Sequence, residues 1–153
     1  MSRVPLFTVR SASASDAVVL STLESEARQE ITSFRGHESL LAAHALIDTN
    51  WASTVASSSC LVLVSEVSGQ IVGYAKGDIS VEGTTCIINH IYVDQMARQI
   101  GIGAGLIAEF ARIAKSRGCI TLDALALPGD RKMKNLYERV GMPARLLIAS
   151  KNL

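Results

Sequence analysis

Apolar positions along the chain change their spacing several times, and each spacing predicts a different element. The run from Cys60 to Val67 is apolar and β-branched, and after the turn residues Ser68-Gly69 a second such run extends from Gln70 to Ile79. This pattern predicts a hairpin. Thr85 to Val93 is apolar at nearly every position, as expected for a central strand covered on both faces. We therefore expect three long strands in succession.

Helical spacing is clearest from Ile102 to Arg117, where one apolar stripe opposes charged positions and Gly118 stands where a C-cap is expected. Three further helices are predicted. The first follows Ser13 or Ser15 and frays near 28–32, and its apolar side has Val18, Val19, Leu20 and Leu23. The second runs from Leu40 to about Trp51. The last spans about 133–140 and is closed by Gly141.

Three shorter runs predict the remaining strands, at Thr8–Arg10, Ile120–Leu127 and Arg145–Ser150. The order is a strand, two helices, an antiparallel meander, then helix, strand, helix and strand. No repeat, low-complexity tract or linker divides it. We expect residues 1–153 to form one α/β domain with a mixed sheet.

Composition narrows the class of protein. Hydrophobic residues make up 48% of the 153 positions and charged residues 19%, which argues against disorder, and no run is long enough to span a membrane. The net charge is +1 and basic residues are scattered, so we expect no nucleic-acid partner. The N-terminus lacks a secretory signal pattern, which favours a cytoplasmic location. The three cysteines have no paired spacing, so we expect buried, reduced thiols and no metal site.

The most informative segment follows the third long strand, where a connector with two glycines enters the long helix. A helix N-terminus has unpaired N–H groups and a partial positive charge, which suits a phosphate. Gly101 and Gly103 leave room for close approach, and Arg98 can contact phosphate oxygens or stiffen the loop. The same glycines could instead only permit tight packing at the turn. The spacing does not fit a dinucleotide fingerprint or a P-loop.

Arg98-x-x-Gly101-x-Gly103 resembles the acyl-CoA motif of the GNAT N-acetyltransferases, and both flanks fit, with Ile91-Tyr92-Val93 before it and an amphipathic helix after it. A second match is the segment Asn135 to Met142, so the resemblance covers the chain from Thr8 onward. It implies a mostly antiparallel central sheet with a splayed strand pair and flanking helices. The sequence departs from the family pattern at Gln95, Gln99, Asp130 and Met142.

The resemblance also implies acetyl-CoA as the acyl donor. The residues it assigns to CoA binding are Ile91, Tyr92, Val93, Arg98, Gln99, Ile100, Gly101, Ile102, Gly103, Ala104, Asp130 and Tyr137. A backbone N–H on Ile91, Tyr92 or Val93 would polarise the thioester carbonyl. Members of the family transfer the acetyl group directly to an amine, so no covalent nucleophile is needed.

Candidates for proton transfer follow from the same alignment. Tyr137 occupies the position of a tyrosine that protonates the leaving thiolate, although an amphipathic helix also explains a core aromatic residue. The imidazole of His90 is suited to deprotonating the amine. The alternative is that His90 is a core histidine whose hydrogen bonds are satisfied inside a buried strand. Asn89 could instead order a water that serves as the base. Some members of the family use a carboxylate on the following strand as the base. The residue at that position here is Leu125, and Asp123 lies two residues earlier, so the sequence does not place a carboxylate where this base is expected.

Three further side chains fall where the family commonly walls its acceptor site: His37, Glu38 and His44. We interpret each as a solvated surface residue. The three histidines at 37, 44 and 90 lack the spacing of a metal triad, so no metal is expected.

We therefore expect an N-acetyltransferase that uses acetyl-CoA and a primary amine of a small molecule, peptide or protein. The near-neutral charge gives no attraction for polycationic acceptors. One alternative is a non-catalytic acyl-CoA-binding or regulatory module. Another is a subunit acting mainly through association, since members of the family often pair through C-terminal strands and helix faces; such pairing would give a homodimer, and the sequence does not distinguish a dimer from a monomer.

Overall fold

A computed structural model describes residues 3–153, and its core is a five-stranded sheet. The strands are β1 (Thr8–Ser11), β2 (Cys60–Val67), β3 (Gln70–Ile79), β4 (Thr85–Val93) and β5 (Thr121–Ala124). They lie in the order β1-β2-β3-β4-β5. The first three pairings are antiparallel and the β4–β5 pairing is parallel, which confirms the mixed, mostly antiparallel sheet.

Within residues 3–153, five α-helices flank the sheet, with short 3-10 turns at 14–16, 31–33, 48–50 and 95–97. They are α1 (Ala17–Glu30), α2 (His37–Ala43), α3 (Trp51–Ala56), α4 (Ile102–Ser116) and α5 (Arg131–Arg139). None of the helices among residues 3–153 is long and apolar enough to cross a membrane.

Two apolar cores lie on opposite faces of the sheet. One packs α4 and α5 against the sheet around Phe110, Leu106 and Leu63. The other packs α1 and α3 around Leu20, Trp51 and Tyr74. Trp51 and Tyr74 are fully buried and meet edge to face, with ring centroids 5.6 Å apart.

The hairpin and the long helix follow the sequence pattern closely. Ser68 and Gly69 have positive φ values of 51° and 79°, the combination that suits a two-residue turn between twisted strands. The helix predicted over 102–117 is α4, and Gly118 follows it with φ of 95°. Gly141 plays the same part after α5, with φ of 83°.

The helix predicted from Leu40 to about Trp51 is wrong, because the chain forms two short helices, α2 and α3, with irregular backbone between them. The cause is Glu24 on α1, whose carboxylate is fully buried. It accepts hydrogen bonds from the amides of Ile47 and Asp48, each 3.0 Å, and from Trp51 Nε1 at 3.2 Å. These bonds hold the segment in a non-helical path.

The ends of other elements also differ from expectation. Val18 is 80% exposed and Val19 39% exposed, so the apolar side of α1 rests on Leu20 and Leu23. The strand predicted over 120–127 is shortened to β5. The strand predicted at Arg145–Ser150 is absent, since residues 143–153 have no regular structure.

The cysteines are free, as expected. Cys86 and Cys119 are buried, whereas Cys60 is only half-buried, and its thiol lies 3.2 Å from Asp78 Oδ1.

Candidate active site

The site begins with an irregularity in β4. Opposite β3, His90 pairs with Lys76 and Ile88 pairs with Gly77, so Asn89 is an extra residue on the β4 side. Such a bulge bends the strand and changes the direction of the side chains that follow it. The pattern of apolar and polar residues along β4 does not predict this bulge.

The two parallel strands separate at the same place. β4 pairs with β5 from Thr85 to Ile88, where β5 ends at Ala124, while β4 continues to Val93. Residues 89–93 therefore have no strand beside them on the β5 side. This gap is the splayed pair that the family resemblance predicts.

A cleft opens at the gap, between α1 and α2 on one side and the 125–130 connection and α5 on the other. It brings together five of the sequence-predicted site residues: Asn89, His90, Ile91, Asp130 and Tyr137. His44 also lines the cleft, so its side chain is not simply a surface group. His37 is elsewhere, with Nδ1 2.8 Å from the Phe34 carbonyl oxygen and Nε2 3.4 Å from Glu38.

His90 lies against an aromatic wall inside the cleft. Its Nδ1 is 3.1 Å from the hydroxyl of Tyr74, and its ring meets that of Trp51 edge to face at 6.2 Å. Burial, followed by the positive charges of Lys76, His44 and Arg28, lowers the pKa of His90 from 6.5 to about 4. The imidazole is therefore neutral at pH 7.

Asn89 belongs to a polar cluster beside His90. Its Nδ2 donates to Asp78 Oδ2 at 2.5 Å and its Oδ1 lies 3.5 Å from Lys76 Nζ. Lys76, only 8% exposed, also donates to Asp78 at 2.9 Å. The pKa of Asp78 is lowered because these hydrogen bonds and the lysine charge outweigh its burial. The cluster fixes the amide of Asn89 at the rim of the gap.

Tyr137 on α5 is 7% exposed and points into the cleft from the opposite side. Its hydroxyl donates to the Leu125 carbonyl oxygen at 2.8 Å, which orients the oxygen atom at the end of β5. Burial raises its pKa well above 10, so the hydroxyl keeps its proton at neutral pH.

Asp130 has a structural task in addition to lining the cleft. It is the N-cap of α5, and its Oδ1 accepts the amide of Met133 at 3.1 Å. The asparagine expected at this position could make the same bond.

The glycine loop lies at one end of β4. Gln99 and Gly101 have positive φ values of 71° and 95°, and Gly101 is the N-cap of α4. The first helical hydrogen bond runs from the Gly105 amide to the Gly101 carbonyl oxygen at 2.9 Å. The amides that precede Gly105, including that of Ala104, therefore lie in the turn where an α-helix has no internal partners for its N–H groups. This geometry suits an anion.

Arg98 stabilises that loop. Its Nε donates to the Val93 carbonyl oxygen at 2.9 Å, its Nη2 pairs with Glu30 on α1 at 2.7 Å, and its guanidinium lies 5.6 Å from the centroid of the Tyr92 ring. The Tyr92 hydroxyl in turn donates to Glu26 at 3.2 Å. Of the two tasks expected of Arg98, the side chain performs the stiffening one.

The side chains within the loop and first turn point in different directions. Ile102 is 2% exposed and lies in the core, whereas Ile100 is 38% exposed. At Gly103, an added Cβ would lie 2.8 Å from Leu136 Cδ2 of α5. The absence of a side chain at Gly103 therefore has a packing reason, which is the second interpretation the sequence left open.

Sequence reasoning missed three residues because each acts across a tertiary contact. Tyr74 contacts His90 from the neighbouring strand, Arg28 reaches the cleft from α1, and Lys132 of α5 joins Arg98 and Gln99 around a shallow depression beside the loop. Of these three, only Lys132 could have been suspected from the sequence, because it lies two residues after the predicted site residue Asp130. No three His, Cys, Asp or Glu side chains within residues 3–153 are grouped closely enough to hold a metal ion.

The structure thus has a mixed sheet that splays at a bulge and an anion-suited helix N-terminus beside the gap, the arrangement implied by the resemblance of the sequence motif to the GNAT family. The model of the Acetyltransferase (GNAT) family matches residues 21–142. The chain belongs to this family. No curated protein matches the chain in sequence.

Solved structures share the fold at low sequence identity. A ribosomal-protein-alanine N-acetyltransferase from Brucella melitensis biovar Abortus 2308 is 20% identical with a TM-score of 0.71, over 96% of this chain and 97% of that one. The aminoglycoside acetyltransferase AAC(6')-Iy, in complex with a CoA bisubstrate analogue, is 17% identical with a TM-score of 0.69, over 96% and 99%. A Trypanosoma brucei acetyltransferase is 22% identical with a TM-score of 0.66, over 96% and 99%.

Proposed function

We propose that the protein transfers an acetyl group from acetyl-CoA to a primary amine within a ternary complex. The observation that carries the proposal is the gap between β4 and β5, beside which β4 continues alone towards the glycine loop and a cleft has Tyr137 and His90 among its lining residues. AAC(6')-Iy was crystallised with CoA and with a CoA-linked analogue, which supports the choice of donor.

The donor would lie along the open side of β4. Its pyrophosphate accepts hydrogen bonds from the amides of residues 99–104, with the Lys132 ammonium nearby. The thioester reaches the part of β4 that follows the bulge, where a backbone N–H of residues 91–93 polarises its carbonyl. Arg98 maintains the loop through Val93 and Glu30 and acts on the donor indirectly.

In the reaction, the amine nitrogen attacks the thioester carbon, the C–S bond breaks, and the sulfur leaves as a thiolate. Tyr137, protonated at neutral pH because its pKa is raised by burial, donates its proton to the thiolate, and solvent that enters as the products leave returns a proton to the tyrosine oxygen and takes the amine proton from His90. His90 removes the amine proton directly or through a water held by Asn89. In that role His90 has its own hydrogen on Nδ1, directed at the Tyr74 oxygen, so that Nε2 is free to accept.

Thiol release from acetyl-CoA across a panel of amines tests the proposal, with CoA affinity measured separately by calorimetry. Tyr137→Phe keeps the ring in the core and removes the hydroxyl, so we expect kcat to fall about 100-fold or more with CoA affinity unchanged. Unchanged turnover in Tyr137→Phe would remove the tyrosine from the mechanism.

Two observations favour the alternative of a non-catalytic acyl-CoA-binding module. A pKa of about 4 makes His90 a weak base for an ammonium group, and the Tyr137 hydroxyl already has an acceptor in Leu125. CoA binding without thiol release on any amine would support that module and contradict the transferase.

We also propose a homodimer formed through the C-terminal segment. Leu146, Leu147 and Ile148 are 80%, 89% and 84% exposed, and β5 has an unpaired edge where a segment of that length could add as a strand. Light scattering should give twice the 16.3 kDa mass of the chain. Leu147→Asp should give a monomer, and a wild-type monomer would contradict this assembly.

A further inference from the structure

Arg28 is a cation that faces the acceptor side of the cleft without a counter-ion. It lines the cleft from α1, and its Nη1 donates to the His44 carbonyl oxygen at 2.8 Å. Within the described residues 3–153, Arg28 forms no ion pair. A guanidinium has five N–H donors, so most of its hydrogen-bonding capacity remains available.

The carboxylates of α1 are all engaged elsewhere. Glu24 is buried behind the cleft and accepts three N–H bonds, Glu26 accepts the Tyr92 hydroxyl, and Glu30 pairs with Arg98. None of these three lines the cleft. None of the three pairs with Arg28, so the free N–H donors of its guanidinium remain available in the cleft.

The other charges around the cleft do not offset it. Asp130 is the one carboxylate among the lining residues of the described chain, and one of its oxygens caps α5. Lys76 and Asp78, beside His90, pair with each other. An acceptor that bears a second ammonium group would therefore meet Arg28 on the α1 side of the cleft, where no lining carboxylate pairs with the guanidinium.

The wall next to Arg28 is apolar. Ile31, Leu40, Leu41 and Leu127 line it, so an acceptor can bury a hydrocarbon body there. Arginine binds carboxylates through two parallel N–H···O bonds, which fixes orientation as well as charge.

We infer that the acceptor is a small amine that bears a carboxylate and an apolar body, as in a free α-amino acid with an aliphatic or aromatic side chain. The inference rests on the proposed acetyl transfer and names its substrate class. The carboxylate binds Arg28, the side chain lies against the leucines, and the amine is directed towards His90 and the gap in the sheet.

Matched acceptors test this directly: leucine is compared with 3-methylbutylamine, and phenylalanine with phenethylamine. The amides of the two amino acids, in which the carboxylate charge is removed, are the controls. We expect kcat/KM to be about 10-fold or more higher for each amino acid than for its decarboxylated counterpart. Arg28→Gln should lower kcat/KM for leucine by about 10- to 100-fold and abolish the preference, as expected for loss of a charged hydrogen-bonded pair. Arg28→Lys, which keeps the charge without the fork, should retain part of it.

Arg35→Gln is the matched control, because Arg35 is exposed and does not line the cleft. It should leave the preference intact. Equal kcat/KM for leucine and 3-methylbutylamine in the wild type, or the same loss on both in Arg28→Gln, would overturn the inference while leaving acetyl transfer in place.

Calorimetry separates this inference from the proposed function. Leucine should bind the CoA-loaded protein, and Arg28→Gln should weaken that binding about 10-fold or more while CoA affinity stays the same. If no amine is acetylated, the transferase proposal fails, and leucine binding alone then decides for or against the carboxylate site.

Discussion

Acidification from pH 7 to pH 4 should destabilise the protein through His90. The ordinary pKa of 6.5 applies to the unfolded chain, whereas burial and the charges of Lys76, His44 and Arg28 lower the pKa in the folded protein to about 4. Below 6.5 the unfolded chain therefore binds a proton that the folded protein does not. The stability contributed by the neutral imidazole is complete above about pH 6.5, falls as the pH drops, and is lost by about pH 4.

The size of the effect follows from the two pKa values. The difference between 6.5 and about 4, at about 1.36 kcal/mol for each pH unit, is about 3 kcal/mol. Asp16, whose pKa is lowered mainly by hydrogen bonds from Arg10, contributes to acid destabilisation below its ordinary value of 3.8, outside this window.

Urea denaturation at a series of pH values between about 7.5 and about 4 measures the free energy of unfolding directly. The wild type should lose about 3 kcal/mol over this interval, and His90→Gln, which has no titrating group, should lose about 3 kcal/mol less. A wild-type profile that is flat over the interval, or one that His90→Gln leaves unchanged, would refute the account of a buried neutral imidazole.

Three further substitutions test the packing around the site. Glu24→Ala should lower the free energy of unfolding by about 3 kcal/mol or more in urea denaturation, because three N–H donors lose a charged acceptor, and Glu24→Gln should cost less. Gly103→Ala should change the free energy of unfolding by less than about 1 kcal/mol, because its Cβ meets the end of the half-buried Leu136 side chain and alanine has the higher helix propensity; a double-mutant cycle with Leu136→Ala measures the contact alone. Asp130→Ala should cost about 1 kcal/mol in thermal unfolding, whereas Asp130→Asn keeps the cap and should cost nothing measurable.

Local chemistry explains why the glycine loop and the hairpin could be predicted. Gly101 and Ser68-Gly69 adopt the positive φ values that their positions require. The apolar stripe of α4, which includes Ile102, faces the core. Each of these features depends on residues within a few positions of one another, so the sequence pattern contains the necessary information.

The errors arise where distant residues determine the outcome. The second helix is divided because the carboxylate of Glu24, 23 residues before Ile47, accepts hydrogen bonds from the amides of Ile47 and Asp48. In a continuous helix these amides would donate to backbone carbonyl oxygens. The run at Arg145–Ser150 has the composition of a strand, but within one chain no strand edge pairs with it. The bulge at Asn89 depends on register with β3, and the contact of Tyr74 with His90 depends on that same register.

The division of the cleft between two parts of the chain has a consequence for folding. The meander from β2 to β4 forms from contacts between successive segments, whereas β5 joins it only after α4 has crossed the sheet, through a parallel pairing of four residues. The connection after β5 and α5 complete the cleft, so we expect the region that holds Tyr137 to form after the meander. A chain in which this C-terminal part has opened locally would retain most of its secondary structure and lose one wall of the cleft.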